Sequence, residues 1–429
     1  MNCYRRIAVL GLIVGALAGS VPAGADWPQF QGPDRNGHSP ETGLLRTWPE
    51  TGPRELWSVP LGSGYSSAAV MGGDVYVLDR ENDDTDILRC YSLVDGKEQW
   101  THSYAAPGDA ARPGSRTPPT VDAKYVYSVG MMGHFLCIDR ATHKPVWQKD
   151  LMAEFGAAVP QWGFSQSPLL YKNLVIVAPQ APEAFAVAFD RETGALVWKS
   201  PGLGLPGYVS PLVTTLAGVE QLVVTSASDR DGGAKGCTAG LSLADGSVLW
   251  KYEGWQCFIP IAHATPIGED KLFITGGYDA GSAIIQIAKS GDALAATEVK
   301  KISAEICGSQ IQQPIFHGGH LYIGNNSNER ELGLTCMTVD GEVKWRTSDD
   351  EALPNFERGP FLAVDGLLIG LDGKDGTLHL IDPSPDGYKE LIQAKVLVGR
   401  ELWAPLALSD GKLLLRSHKL MKCLDLKNP

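Results

Sequence analysis

Short apolar runs alternate with polar turns along this chain, and the order of the runs repeats. In the stretch around residue 180, Ser167-Pro168-Leu169-Leu170-Tyr171 is an apolar run led by proline, and Lys172-Asn173 is a turn. Leu174–Ala178 (LVIVA) follows, a β-branched run of the kind that is buried on both faces of a sheet. Phe185–Phe189 (FAVAF) is a third run, Asp190-Arg191-Glu192-Thr193-Gly194 a tight turn, and Ala195–Lys199 (ALVWK) a fourth run. The pattern predicts four antiparallel strands joined by short connections, which is one blade of a propeller.

The same order recurs about every fifty positions, and a fixed period of that size marks a repeat architecture. CYSLVDGKEQW (Cys90–Trp100), CIDRATHKPVW (Cys137–Trp147), AFDRETGALVW (Ala188–Trp198), GLSLADGSVLW (Gly240–Trp250) and CMTVDGEVKW (Cys336–Trp345) are copies of one phrase: a small residue, a strand, a turn and a closing Trp. Proline leads the first strand at Pro118-Pro119, Pro168, Pro211, Pro266, Pro314, Pro360 and Pro405, where its missing N–H costs little; Ala68 takes that place in the first copy. That makes eight first strands. The stretches near Glu298–Ile302 and Glu390–Gln393 are expected as fourth strands without the aromatic, and the last copy, Leu402–Leu426, runs out after three strands. Glu55–Val59, a lone strand bearing Trp57, stands ahead of the first complete copy and is expected to complete the last blade, hiding two sheet edges. The fold expected is an all-β, eight-bladed β-propeller over residues 55–429, after an N-terminal extension of residues 26–54.

Residues 1–25 read as a cleavable secretory signal: Arg5 and Arg6, the apolar run Ile7–Leu17, and the small-residue pattern Ala23-Gly24-Ala25. The run is too short to span a bilayer, and Cys3 precedes it, so no lipidated cysteine is expected at the mature N-terminus. The mature protein is therefore expected in the periplasm or secreted, without a membrane anchor, and as a monomer. The whole chain carries a formal net charge of −12, and with no basic cluster this argues against a nucleic-acid partner. Cys90, Cys137, Cys336 and Cys423 fall at the small-residue position of the phrase, so they read as packing groups and not as disulfides or metal ligands. Cys237, Cys257 and Cys307 lie outside that register.

The phrase D-x-x-T-G-x-x-x-W, clean at Asp190–Trp198, resembles the pyrroloquinoline-quinone (PQQ) repeat, and the resemblance covers essentially the whole mature chain. The stretch DWPQFQGPDRNG (Asp26–Gly37) is similar to the opening of exported PQQ-like propeller proteins. That family includes quinoprotein alcohol dehydrogenases and the cofactor-free outer-membrane assembly factor BamB. The chain departs from both. It has no adjacent cysteine pair and no clear Glu, Asn and Asp set matching the calcium and catalytic positions of the dehydrogenases, and it lacks the lipoprotein cysteine of BamB. The resemblance thus implies the fold, with PQQ as a possible cofactor.

Function must then lie outside the phrase, because a repeat fold is a scaffold. Residues just before each first strand are expected to gather at one mouth of the central channel: Tyr65, Arg116, Gln166, Tyr208, His263, Gln312, Glu357, Arg358 and Trp403. Aromatic and hydrogen-bonding groups converging on a concavity are what a ligand site needs, with Arg116 or Arg358 for a carboxylate and Trp403 or a Tyr for a flat ring. The acidic run Asp79–Asp86 lacks the Gly and terminal Glu of a calcium loop and reads as a solvated connection, as does Asp229–Gly233. No H-E-x-x-H or G-x-S-x-G is present, so no metal site and no catalytic residue is assigned. The expectation is a non-catalytic binding scaffold of the BamB kind, taking a protein partner in the cell envelope or a small polar ligand. The alternative is a divergent PQQ-dependent alcohol or sugar dehydrogenase.

Overall fold

The computed structural model describes residues 25–291 and 293–428. The export signal expected over residues 1–25 lies outside them, apart from Ala25. Eight four-stranded antiparallel blades form an eight-bladed β-propeller. Among the described residues the helical elements are Leu151–Phe155 and the single 3-10 turn Thr347–Asp349. Arg54–Pro60 pairs antiparallel with Leu420–Asp425, so the N-terminal strand closes the eighth blade as the repeat count requires.

The phrase works in pairs of blades. Within a blade the closing Trp lies opposite the small residue on the neighbouring strand: Trp100 faces Cys90, Trp147 faces Cys137, Trp198 faces Ala188, Trp250 faces Gly240, Trp345 faces Cys336 and Trp57 faces Cys423. A large residue there would meet the indole. The seven described cysteines are all free and buried, and burial pushes their thiols up, that of Cys90 to about 12. Four of these indoles bond into the next blade. The Nε1–H groups of Trp57, Trp147, Trp198 and Trp345 donate to the carbonyls of Leu93, Arg191, Leu243 and Ser384 at 3.0, 3.1, 3.1 and 2.8 Å.

These carbonyls sit in the turn between the third and fourth strands of the following blade, and that is why the turn carries Asp and Gly. Asp190 Oδ1 accepts from the amides of Glu192 and Thr193, which fixes the turn. Gly194 closes it at φ 70°, where a Cβ would lie 2.7 Å from Trp147 Cγ of the previous blade. Blade 2 has no glycine at this turn. His143 adopts the left-handed conformation there (φ 60°) and stacks its ring on Trp100 at 5.1 Å. Blade 5 departs furthest, with Gly281–Ser290 and Ala293–Ile302 forming a hairpin of two ten-residue strands and no phrase. Trp250 accordingly finds no turn carbonyl and donates to Gln221 in its own blade.

The Asp79–Asp86 run corrects the sequence reading. Asp79, Arg80 and Asp86 are buried at the ends of paired strands, and Arg80 bonds Asp86 at 2.8 Å while Arg89 bonds Asp79 at 2.8 Å. Residues 81–84 are exposed, while Asp79, Arg80 and Asp86 face an internal network.

Residues 26–39 form a strap across one end of the channel. Trp27 exchanges both backbone hydrogen bonds with Val70, and Val121 N–H donates to Pro28 O at 2.8 Å. Arg35 donates to Pro168 O and Ser167 O at 2.7 and 3.2 Å. His38 bonds Phe316 O at 3.1 Å, and His38–Ser39 adds a fifth strand, parallel, to Phe361–Val364. The strap therefore touches inner strands of blades 1, 2, 3, 6 and 7 and leaves the channel open at the other mouth.

Candidate functional site: the open mouth of the channel

The connections that enter the first strands converge on one pocket at that open mouth. Its empty space, open solvent at the mouth included, is about 1080 Å³. Phe30 and Gln31 of the strap contribute to its lining, so the channel does not run through. Tyr65 and Trp403 stand on the side of blades 8 and 1, near-parallel at 6.0 Å. Trp162, Tyr208 and Tyr278 stand on the side of blades 3 to 5.

Three arginines line the space, and they differ in how they are compensated. Arg112 is paired with Glu401, which also accepts from Tyr65 Oη at 2.7 Å. Arg358 is paired with Glu357 through its Nε at 2.6 Å. Arg116 has no carboxylate partner among the described residues. Its guanidinium donates to the carbonyls of Gly114 and Arg112 at 2.7 and 2.9 Å and lies 5.1 Å from the centre of the Tyr65 ring. Burial lowers its pKa to about 10, so it stays charged at neutral pH. Trp403 lies between the other two cations, 4.6 Å from Arg358 and 5.6 Å from Arg112.

The two acids anchor the walls. For Glu401, burial raises the carboxyl pKa, but hydrogen bonds from Arg112 and Tyr65 outweigh it and hold the group below its ordinary value. Tyr65 is pushed up to about 12 by burial and by Glu401. Gln312 Nε2 donates to the carbonyls of Arg358 and Trp403 at 2.8 and 3.1 Å, which joins the two entry loops. Several non-glycine residues around the pocket hold left-handed backbone: Gln31 (φ 62°), Tyr278 (58°), Glu357 (42°) and Glu401 (55°). Such conformations cost energy and persist where surrounding contacts over-determine them, as at ligand sites.

Six of the nine residues picked from the sequence line this pocket: Tyr65, Arg116, Tyr208, Gln312, Arg358 and Trp403. Glu357 stands behind it, holding Arg358 and Trp403. Gln166 and His263 do not reach it. Gln166 is buried and donates to Gly207 O at 3.3 Å. His263 is buried beside the strap, its Nδ1 on Ala264 O at 3.0 Å and its ring 6.0 Å from Phe30. Gln166 and His263 stand two or three places before their prolines like the others, but their side chains turn to Gly207 and to the strap, and the adjacent Ser165 and Ala262 line the pocket instead. Reading a fixed offset before each proline also missed Arg112, Trp162 and Gln310, which stand further back in the entry loops, and Tyr278 and Asn328, which come from the short connections between second and third strands of blades 5 and 6. One signal was available: of the eleven tryptophans five stand outside the repeated phrase, and two of those five, Trp162 and Trp403, are at the pocket.

Residues 83–256 match the family model described as outer membrane protein assembly factor BamB. The match falls on consecutive blades with the pairing described above. The chain folds as a PQQ-like β-propeller. BamB from Moraxella catarrhalis is similar in structure at 14% identity and a TM-score of 0.58, over 88% of this chain and 98% of that one. A europium-containing methanol dehydrogenase is similar at 13% identity and a TM-score of 0.66, over 93% and 89%. The quinohemoprotein alcohol dehydrogenase from Comamonas testosteroni is similar at 13% identity and a TM-score of 0.62, over 94% and 81%. No curated protein matches this PQQ-like propeller by sequence.

The pocket's donors suit PQQ in part. Flat aromatic walls, guanidinium groups and the amides of Gln310 and Asn328 fit a flat polyanion. A calcium ion needs several converging oxygen ligands. Glu357 and Glu401 are already held by arginine, Trp403 and Tyr65, and no group of three His, Cys, Asp or Glu side chains with ligand geometry occurs among the described residues.

Proposed function

We propose that this PQQ-like propeller is a non-catalytic, exported binding protein of the cell envelope, and that its channel-mouth pocket takes a small, flat, anionic ligand. The observation that carries the reading is Arg116: a charged group, half-buried among aromatic faces, whose hydrogen bonds go to carbonyls and which is paired with no carboxylate among the described residues. A half-buried cation without an ion pair is under-compensated, and a ligand carboxylate supplies a partner for it. The neighbouring rings of Tyr65 and Trp403 offer faces on which the flat part of the ligand rests. The test is a titration of the purified protein with naphthoate and with PQQ, with and without calcium, following the fluorescence of Trp162 and Trp403. Saturable quenching that weakens in Arg116→Met is expected. Absence of quenching by either compound removes the reading.

A second reading, a divergent PQQ-dependent dehydrogenase, is favoured by the fit of the pocket's walls to a flat polyanion. Dye-linked oxidation of alcohols or sugars after loading with PQQ and calcium tests it. Binding of PQQ without any turnover leaves the first reading standing. A protein partner of the BamB kind would dock on the rim, and pull-down from envelope extract with pocket variants separates that role from small-ligand binding.

A further inference from the structure

We infer that the pocket continues over Tyr278 to a second anion subsite at Arg230 and Lys235, so that its ligand is elongated, with a flat middle and an anionic group at each end. The inference rests on the pocket being a ligand site and adds the ligand's length and second charge.

The Tyr278 side chain lines two depressions at once: the channel-mouth pocket and a shallower one on the rim between blades 4 and 5. The shallower one is bounded by the loop that carries Arg230 and Lys235 and by Phe258. Aromatic faces lead from one to the other in steps of van der Waals size. Tyr208 and Trp162 have ring centres 5.3 Å apart, and Trp162 and Tyr278 are near-parallel at 6.1 Å. Tyr278 and Phe258 follow at 5.0 Å, and the Arg230 guanidinium lies 4.5 Å from the Phe258 centre. The series begins beside Arg116 and ends on Arg230.

Tyr278 is held in place for this shared position. Its backbone and that of Asp279 are left-handed (φ 58° and 60°), its hydroxyl accepts from Gln310 Nε2 at 3.0 Å, and Asp279 is tied to Arg330. Strain of this kind is kept where a side chain must be presented at a fixed place.

The charges match an anion at both ends. Arg230 and Lys235 are exposed and form no ion pair among the described residues, as Arg116 forms none. Of the two acids in the rim depression, Asp279 is occupied by Arg330, and Asp229 accepts from its own loop at the Asp231 amide, 3.4 Å away. Arg116 at one end of the aromatic track and Arg230 and Lys235 at the other are thus cations without an ion pair among the described residues, although Asp229 and Asp279 share the rim depression. A guanidinium stacked on a ring still presents its N–H edge to a carboxylate, so Arg230 can be ordered by Phe258 and bind an anion together.

The experiment compares three probes on the full-length mature chain by tryptophan fluorescence and calorimetry: benzoate, biphenyl carboxylate and terphenyl dicarboxylate. The long diacid is expected to bind about tenfold or more tightly than the monoacids, a gain that shrinks at high salt. Arg230→Ala with Lys235→Ala is expected to cancel that gain and leave monoacid binding unchanged; both residues are exposed in a loop, so the fold is not at issue. Equal affinity of the double variant and the parent for the long diacid overturns the inference while monoacid binding still supports the pocket. If no probe binds, the pocket reading fails and takes this inference with it.

Discussion

Trp403 donates its indole N–H to Glu357 at 2.5 Å, and Glu357 also holds Arg358, whose guanidinium lies 4.6 Å from the Trp403 ring centre. One carboxylate thus sets both the face of a stacking platform and the position of a cation. The electrostatic consequence is that Arg358 is largely spent within the protein, whereas Arg116 is not.

Arg116→Met is therefore expected to weaken binding of an aromatic carboxylate by about tenfold to a hundredfold, the worth of one charge-assisted hydrogen bond. Arg112→Met should cost less, because Arg112 is already paired with Glu401. Isothermal titration of both variants with naphthoate gives the comparison. A larger loss at Arg112 than at Arg116 would contradict the assignment.

Glu357→Gln keeps an oxygen for the Trp403 N–H but removes the charge that neutralises Arg358. Anion affinity is expected to rise a few-fold, about the size of a part-screened ion pair at short range. Glu357→Ala, which removes both bonds, should lower it by freeing Trp403. Matching changes in the two variants would show that Glu357 acts only as packing.

His263 predicts an acid limit to stability. Burial, aided by the positive charge of Arg35, lowers its pKa from 6.5 to about 4. The folded form then holds the ring neutral where the unfolded chain takes a proton. This contribution is complete above about pH 6.5 and is lost as the pH falls toward 4, amounting to about 3 kcal/mol across that window. Urea melts at pH 7 and pH 4.5 should show His263→Gln losing less stability on acidification than the parent. An unchanged pH dependence in the variant would sink the assignment.

The inter-blade contact can be separated from simple backbone strain with two glycines. Gly194 (φ 70°) and Gly218 (φ 75°) are both left-handed, but a Cβ at Gly194 meets Trp147, and one at Gly218 meets nothing within 4 Å. Gly218→Ala should cost about 1 kcal/mol, and Gly194→Ala about 1–3 kcal/mol more, from overpacking against the neighbouring blade. Chemical denaturation of the two variants reads the difference directly.

The propeller was legible because its signal is repeated. A Trp, a small residue opposite it and an Asp-Gly turn recur, and each copy supports the count even where two copies lack the aromatic. The closing strand at Trp57 was legible for the same reason. The pocket was legible only where a side chain two or three places before the first strand turns toward the channel, as at Tyr65, Arg116 and Trp403. Trp162 and Tyr278 reach it from loops with no shared pattern, and Tyr278 depends on left-handed backbone that the sequence does not announce. The strap was invisible as a floor. Its hydrogen bonds use backbone amides and carbonyls of five blades, and backbone carries no sequence mark.

That strap also fixes when the pocket comes into being. Phe30 and Gln31 leave the ribosome before any blade, yet Gly37 O is met by Ala363 N–H in blade 7, and Glu41 meets Gly411 N–H in blade 8. Tyr65 near the start of the chain finds Glu401 near its end. Contacts of such long sequence separation form late, because the loop entropy must be overcome before they contribute. A chain that stops short of blade 8 could stack most of its blades and still have neither the complete wall nor the anchored floor. Occupancy of the pocket is in this sense a report on whether the ring has closed.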